Sequence, residues 1–340
     1  MGGSPPFRQR GLYAVPLILD GVCVRQQGET WLDDINLELS SGMTTLIGPL
    51  TSGKTTLMRV VAGLTAPTSG RVVVNGMDVS AISVRKRSVA FVYQQFINYP
   101  SLTVYQNIAS PLRGYDRKKI DSRVREVAAL MGIEDLLARR PSELSGGQQQ
   151  RTAIARALAR PVDVLLLDEP LANLDYKLRE QLRADLKGMF ADVPGMVLYS
   201  TTDPAEALLF AAPTVVLGEG RVQQVGDVAE LYDRPPSLAV AAALSDPPLN
   251  VLPGEGGLLG VRPHQVAIER TGDDDLVLPA EIRVAEVTGS VTFLHLLLED
   301  GRHLVAQLPG TQLFTPGERT TAYINPAHLL VFDEAGAARG

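Results

Sequence analysis

The chain has 340 residues, of which 45 % are hydrophobic and 21 % are charged, and its formal net charge is −6. This length allows about two domains, and the composition is that of a globular protein and not of a disordered tail. The acidic balance argues against a basic face that binds nucleic acid. The single cysteine, Cys23, cannot form an internal disulfide, which favours a reducing compartment. No apolar stretch approaches the roughly 20 residues that span a bilayer, so membrane association is expected through a partner.

The first two thirds of the chain predict an α/β fold. From residue 17 to about residue 236, short apolar runs alternate with helical patterns, which is typical of strands joined by crossover helices in a mainly parallel sheet. Several runs are apolar throughout, as strands covered on both faces should be. The candidate strands are residues 43–47, 72–74, 89–92, 164–167, 196–200 and 214–217.

The sequence changes character near residue 235. Prolines and glycines concentrate at residues 235–236, 246–248 and 253–257, which predicts a linker region and domains spanning residues 1–236 and 237–340. Downstream, β-type segments separated by turns predict a small barrel or sandwich, and residues 335–340 are expected to form a frayed tail. The β-type segments are residue 261 and residues 266–268, 276–278, 282–287, 291–298, 303–308, 320–324 and 329–332.

A phosphate-binding loop is predicted directly after the strand at residues 43–47. The loop fits G-x-x-x-x-G-K-[ST] and precedes a helical run over residues 55–62, which is the context that such a loop requires. Its backbone N–H groups and the positive end of the helix surround phosphates, Lys54 adds a charge, and Thr55 can bind Mg²⁺. Thr51 stands where such loops often have another glycine. The predicted binding residues are Gly48, Pro49, Leu50, Thr51, Ser52, Gly53, Lys54, Thr55 and Thr56.

Two carboxylates follow the apolar run at residues 164–167. In open α/β sheets, ligands bind at the carboxyl ends of the strands. Asp168 is therefore placed to hold Mg²⁺, and Glu169 to orient or deprotonate a water that attacks a γ-phosphate. An isolated pair of this kind is more often a solvated strand end, but the phosphate loop in the same chain favours a site.

A glycine-containing helix start lies between these two motifs. Ser145 and Gln148 have the spacing of a capping box, and Gly146 and Gly147 let the backbone approach an anion at the positive end of the helix. The alanine-rich helix is expected to end at residue 160, before a proline. Its position between the phosphate loop and the two carboxylates makes it the most specific signal in the chain.

The order of these motifs resembles that of the ABC-transporter ATPases, from residue 17 to the C-terminus. Residues 220–226, 231–235 and 260–263 further resemble the carbohydrate-importer group, which includes the maltose-importer ATPase. The resemblance implies a P-loop NTPase domain with a helical subdomain, followed by a small all-β OB-like (TOBE) regulatory domain. The order is the phosphate loop, Gln94, Leu144-Ser145-Gly146-Gly147-Gln148, Asp168-Glu169 and Asn173-Leu174-Asp175.

The resemblance also implies the cofactors and partners. ATP with Mg²⁺ would lie between the phosphate loop of one ATPase subunit and the glycine-containing helix of a second. Gln94 would sense Mg²⁺ and the γ-phosphate, and would link them to two transmembrane permease subunits at the cytoplasmic face of the inner membrane. An external solute-binding protein would deliver the solute. The residues that would contact the ATP of the partner subunit are Ser145, Gly146, Gly147, Gln148 and Asp175.

Several aromatic residues follow the strand at residues 89–92. By the same resemblance they could line a socket for a coupling helix of the permease, and core packing is an equally open alternative. These residues are Tyr93, Phe96, Tyr99 and Tyr105.

Two positions depart from the family pattern. Thr202 stands where the family has a histidine that contacts the γ-phosphate during hydrolysis. Removing one positioned catalytic donor typically costs on the order of 10²- to 10³-fold in rate, so the site that uses this phosphate loop is expected to be slow. Gln26 lies near the position of the aromatic residue that stacks on adenine, and Trp31 either replaces that residue or has a packing role.

These departures lead to a hypothesis of an asymmetric heterodimer, in which this chain completes the active site of a companion ATPase. Thr51, Thr202 and residues 95–100 also resemble one of the paired ATPases of bacterial glycerol importers, so glycerol or a related polyol is the favoured solute. A slow homodimer is the alternative assembly. A regulatory subunit without turnover and a non-transport ABC ATPase are competing readings, although the single set of motifs and the absence of heptads argue against the latter.

Overall fold

The computed structural model describes residues 16–95, 97–172, 176–191, 193 and 195–339. Phe96 and Asp175, which carry predicted roles, lie outside these residues. The chain divides into two compact units. The first runs to Thr202 and includes Glu206–Val228, and the second comprises Asp203–Ala205 and the chain from Ala229 onward. The domain boundary at residues 236 and 237 stays a prediction.

The first unit is an α/β structure. Its strands are β1 (Leu17–Gln26), β2 (Glu29–Leu39), β3 (Gly42–Ile47), β4 (Ser69–Val74), β5 (Met77–Asp78), β6 (Val89–Val92), β7 (Val164–Asp168), β8 (Met196–Thr201), β9 (Pro213–Gly218) and β10 (Arg221–Asp227). Its helices are α1 (Lys54–Ala62), α2 (Val104–Ala109), α3 (Arg117–Leu130), α4 (Gly146–Ala159), α5 (Tyr176–Ala191) and α6 (Pro204–Phe210). The fold class predicted from the sequence is confirmed.

A six-stranded sheet lies at the centre of this unit, in the order β10-β9-β3-β8-β7-β6. The pairs of β3 with β8 and β9, of β7 with β8, and of β6 with β7 are parallel. Successive side chains of a strand point to opposite faces. Leu165 and Leu167 accordingly pack with the helices α2 to α5, whereas Val164 and Leu166 pack with α1 and β1. Both faces are covered, which explains why these strands are apolar at nearly every position.

The predicted strand at residues 72–74 does not belong to the parallel sheet. It is the end of β4, which pairs antiparallel with β1 in a separate sheet of order β2-β1-β4-β5. The long hairpin of β1 and β2 was not predicted. Its residues alternate between buried and exposed, as in an antiparallel sheet with one face on the core, so period-two alternation was the available signal.

The second unit is rich in antiparallel strands and resembles a small barrel. A three-stranded sheet has the order β11-β12-β18 and a five-stranded sheet the order β13-β17-β14-β15-β16. Its strands are β11 (Asn250–Gly254), β12 (Gly257–Val261), β13 (Val266–Ala267), β14 (Leu276–Val287), β15 (Val291–Leu298), β16 (His303–Pro309), β17 (Arg319–Ile324) and β18 (Leu330–Asp333). Two short helices precede them, α7 (Val228–Asp233) and α8 (Leu238–Ala243).

Three predictions for this unit are wrong in detail. Residues 253–257 form part of the β11–β12 hairpin and not a linker, because glycine and proline are compatible with a short hairpin turn. The segments at residues 276–278 and 282–287 are one strand. The tail is held by backbone hydrogen bonds, including Arg339 N to the oxygen of Val331 (2.8 Å) and Ala338 N to the oxygen of Pro236 (3.0 Å).

No helix among the described residues combines the length and the apolar content needed to cross a bilayer.

Candidate functional site

The phosphate loop connects β3 to α1, as the sequence predicts. Gly53 precedes α1 with a left-handed backbone, φ 102°. A Cβ at Gly48 would lie 2.1 Å from the carbonyl oxygen of Leu217, so only glycine fits there. Ser52 Oγ is buried and has no hydrogen-bond partner in the described part of the chain. A buried hydroxyl of this kind fits a loop that is completed by phosphate oxygens.

Lys54 is held inside the loop. Its ammonium group donates to the carbonyl oxygens of Gly48 (2.7 Å) and Pro49 (2.9 Å), and lies 3.5 Å from Glu169 Oε1. Burial lowers the pKa of Lys54, and the carboxylates of Glu169 and Asp168 oppose that shift by favouring the charged form. The contact shows that the loop and the end of β7 are adjacent, although 115 positions separate these two residues in the sequence.

A pair of oxygen ligands lies at the junction of the loop and β7. Thr55 Oγ1 donates to Asp168 Oδ1 at 3.0 Å, and Asp168 is 4 % exposed. Mg²⁺ prefers oxygen ligands and keeps several waters, so a hydroxyl and one carboxylate beside a phosphate loop fit this ion. Thr55 and Asp168, two of the metal ligands that the sequence predicts, are thus brought together, and their role stays a prediction.

Ser200 is a site residue that the sequence analysis missed. Its hydroxyl donates to Asp168 Oδ1 at 2.8 Å, and its Oγ and carbonyl oxygen accept from the backbone N–H of Glu169 at 3.1 and 3.2 Å. Glu169 has a left-handed backbone, φ 44°. Such a conformation is unfavourable for a non-glycine residue and persists only where the surroundings fix it, which the contacts to Ser200 do. The sequence signal that could have revealed Ser200 was its position near the end of β8, two residues before Thr202.

The remaining residues of the predicted catalytic set follow strands at the same edge of the sheet. Thr202 comes directly after β8, which pairs with β3 on one side and with β7 on the other. Thr202 therefore stands between the phosphate loop and Glu169. Gln94 follows β6, the neighbour of β7, on the other side of Asp168. Thr202 and Gln94 are both exposed.

The glycine-containing helix start forms as predicted. Ser145 Oγ accepts from Gln148 N and the Gln148 side chain accepts from Ser145 N, so the capping box at the start of α4 is complete. Ser145, Gly147 and Gln148 line a pocket of about 220 Å³ together with Arg151 and Leu182. The helix start is thus open to a ligand, while the predicted neighbour Asp175 lies outside the described residues.

Trp31 is close to the phosphate loop. A Cβ at Gly53 would lie 3.0 Å from the carbonyl oxygen of Trp31, whose side chain is 42 % exposed. Gln26 is paired with Glu29 at the hairpin end of β1. The backbone of Trp31 thus approaches the phosphate loop, and the role of its indole stays a prediction.

Comparisons with known proteins agree with this geometry. The ABC transporter model matches residues 32–172, and the TOBE domain model matches residues 259–332. The sn-glycerol-3-phosphate import ATP-binding protein UgpC of Chromohalobacter salexigens is 36 % identical, over 94 % of this chain and 95 % of its own. The sulfate/thiosulfate import ATP-binding protein CysA of Synechocystis is 37 % identical, over 95 % of this chain and 96 % of the relative. The xylose/arabinose import ATP-binding protein XacJ of Haloferax volcanii is 35 % identical, over 90 % of this chain and 91 % of the relative.

A solved structure shares the nucleotide-binding fold. It is cbiO1 from Clostridium perfringens, described as part of the ABC transporter complex cbiONQ. The match has a TM-score of 0.58 and 26 % identity, and covers 64 % of this chain and 90 % of that chain.

A phosphate loop facing strand-end carboxylates on a parallel sheet defines a P-loop ATPase. With the relatives above, the chain belongs to the ABC transporter family, as an ATP-binding subunit of the importer type with a TOBE domain. It is an ATPase coupled to transport, and subunits of this type work with membrane permease components.

Proposed function

We propose that this chain binds ATP and Mg²⁺ at the strand edge described above, and that its own site hydrolyses ATP slowly. The backbone amides of the loop and Lys54 would hold the phosphates, and Thr55, Asp168 and Gln94 would hold Mg²⁺. Bound Mg²⁺ would neutralise charge that develops on the transferred phosphoryl group. Glu169 would orient the attacking water.

The contact between Lys54 and Glu169 suggests how the residues rearrange. With ATP bound, Lys54 would donate to phosphate oxygens instead of to Glu169. The backbone of Glu169 is fixed by Ser200, so only its side chain would turn toward the water. The fixed backbone would limit where the carboxylate can move, and a general base must come within hydrogen-bond reach of the water that it activates.

The position of Thr202 is the observation that supports slow turnover. In the strand order β8 lies between β3 and β7, which supports a position for residue 202 near the γ-phosphate of a bound ATP. A threonine hydroxyl is shorter than an imidazole and carries no positive charge. The expected rate of ATP hydrolysis is lower than that of a site with a histidine donor by on the order of 10²- to 10³-fold.

For the assembly we infer a pair of ATPase subunits with two permease subunits at the cytoplasmic face of the inner membrane. The complete capping box of α4 supports a role for Ser145 in the ATP site of the partner subunit. A companion ATPase with an intact donor would then provide the fast site. A homodimer with two slow sites is the second candidate.

The proposed solute is glycerol or a related polyol. Support comes from Thr51, Thr202 and residues 95–100, which resemble one of the paired ATPases of glycerol importers. Relatives of this chain are named for sn-glycerol-3-phosphate, for sulfate and for xylose, so the family covers several solutes.

The decisive experiment compares the ATPase activity of the wild type and of Thr202→His. The assay uses the chain alone and the chain purified with its companion subunits. For the chain alone we expect a low ATPase rate. Thr202→His should raise that rate tenfold or more, because the new imidazole supplies the missing donor. Thr202→Ala should match the wild type, since the hydroxyl contributes little.

An ordinary rate for the wild-type chain alone, unchanged by Thr202→His, would refute the slow-site proposal and support a conventional homodimer. Glu169→Gln in each background controls for contaminating ATPases. The same complex in proteoliposomes, supplied with its solute-binding protein, tests the solute. Stimulation by glycerol, and not by xylose or sulfate, is expected.

A further inference from the structure

A basic patch lies at the start of α3. It consists of Arg113, Arg117, Lys118 and Lys119, which fall within seven consecutive positions and are all exposed. None of the four forms an ion pair with another described residue. This concentration is unusual in a chain whose net charge is −6.

The acidic residues around the patch are engaged elsewhere. Asp116 lies inside it, but its carboxylate caps α3 by accepting from the backbone N–H groups of Lys118 (2.9 Å) and Lys119 (3.4 Å). Asp121 pairs with Arg125 at 3.1 Å, and Glu126 pairs with Arg123 at 2.6 Å. The next two cations along α3 are therefore paired, whereas the four cations of the basic patch together with Asp116 leave a net charge of +3 (four minus one).

Helix stability does not explain the patch. Arg117, Lys118 and Lys119 occupy the first turn of α3, which has no acidic residue. The N-terminal end of a helix is its positive end, so cations are unfavourable there. An external anion would offset both this effect and the mutual repulsion of the four side chains.

The backbone beneath the patch is firmly supported. Leu112 on one side and Val124 on the other are fully buried, and Ile120 packs partly against the same core. The four cations are consequently presented from a fixed platform, and their long side chains remain free to reach a surface.

We propose that the basic patch binds the headgroups of anionic phospholipids and orients this subunit on the membrane. The inference rests on the proposed position at the cytoplasmic face, where anionic lipids attract basic residues. Each basic side chain near such a surface raises the partition coefficient about fivefold, corresponding to about 1 kcal/mol. With four exposed cations in seven positions, the patch favours this face of α3 for contact with lipid.

The test is sedimentation of the purified full chain with vesicles of phosphatidylcholine, with and without phosphatidylglycerol. The variant carries Arg113→Gln, Arg117→Gln, Lys118→Gln and Lys119→Gln. Binding of the wild type should require phosphatidylglycerol and decrease as salt is raised, because exposed charges are screened. The variant should lose on the order of 10²-fold or more in partition coefficient.

A matched control removes four exposed cations elsewhere, with Arg85→Gln, Lys86→Gln, Arg234→Gln and Arg319→Gln. It changes the net charge equally and should bind nearly as well as the wild type. Equal losses in both variants, or no loss in either, would overturn the proposal. So would unchanged vesicle binding with a reduced stimulation of ATPase by the permease, which would assign the patch to a protein partner. ATPase activity without lipid reports on the proposed function separately.

Discussion

At the scale of residues, the site combines a strained backbone with side chains that fix it. Thr51 and Glu169 both have a positive φ, 68° and 44°. Left-handed conformations of non-glycine residues cost of order 1 to 3 kcal/mol each, and they cluster where function requires an exact position. Thr51 has a left-handed backbone that a glycine would adopt freely, so the threonine adds to the conformational cost of the loop.

Glu206, four residues beyond Thr202, also fixes neighbouring elements through its side chain. Its carboxylate accepts from the buried Tyr199 hydroxyl at 2.9 Å and lies 3.7 Å from the guanidinium group of Arg183. Tyr199 belongs to β8, which ends just before Thr202, and Arg183 belongs to α5. Glu206 thus joins the strand that positions Thr202 to a neighbouring helix.

We predict that Glu206→Ala destabilises the first unit by about 2 to 4 kcal/mol. The substitution removes a buried charged acceptor from two donors at once. Denaturant unfolding followed by the fluorescence of Trp31 measures the loss. Glu180→Ala is the matched control, because Glu180 contacts the same Arg183 but is largely exposed, and about 0 to 1 kcal/mol is expected. Equal effects of the two substitutions would contradict this role of Glu206.

At the residue scale, the sequence indicated which residues lie together where a motif fixes the neighbours. Lys54, Asp168 and the capping box of Ser145 were found because each motif includes its own structural context. Ser200 and Glu206 were not found. Their partners come from other strands and helices, and neither residue belongs to a motif; for Ser200 the available signal was its position near the end of β8.

At the scale of elements, one side chain joins the two sheets of the second unit. Asn250, at the start of β11, donates to the carbonyl oxygen of Val305 (2.8 Å) and accepts from its N–H (2.7 Å). Val305 lies on β16, an edge strand of the five-stranded sheet. The amide side chain therefore takes the place of a neighbouring strand at an otherwise open edge.

Asn250→Leu should lower the stability of the second unit by about 1 to 3 kcal/mol, because both backbone groups of Val305 lose a partly buried partner. Hydrogen exchange, read by mass spectrometry on a peptide that covers β16, should show faster exchange than in the wild type. Asn325→Ala serves as the control, since Asn325 caps only a short turn through Ala327 N. Unchanged protection of β16 in Asn250→Leu would show that the bridge is dispensable.

The prediction of elements was accurate for the buried parallel strands and weaker for the hairpins. Apolar runs such as residues 164–167 can only be covered on both faces, so their place in the central sheet followed from composition. The β1–β2 hairpin alternates between polar and apolar residues, and the β11–β12 hairpin contains proline and glycine. The alternation is a strand signal that is weaker than a continuous apolar run, whereas proline and glycine also occur in surface loops and give no strand signal.

At the scale of the whole molecule, the proposed assembly assigns the motifs of one chain to two ATP sites. The phosphate loop and Glu169 belong to its own site, and the proposed role of Ser145 is in the site of a partner subunit. In an asymmetric heterodimer, Ser145 would serve the fast site, and the phosphate loop and Glu169 would serve the slow site. In a homodimer, both groups of residues would serve equivalent sites. This difference makes the assembly testable with substitutions in this chain alone.

We predict that Ser145→Ala lowers the ATPase rate of the purified complex at least tenfold, because it removes a donor from the fast site. Glu169→Gln in this chain should change the rate by less than about twofold, because the slow site adds little to the total. Thr103→Ala controls for lost capping, since Thr103 and Gln106 form the same kind of box at α2, with a similar cost of about 1 kcal/mol. Strong and equal losses with Ser145→Ala and Glu169→Gln would instead establish two equivalent sites, and with them a homodimer.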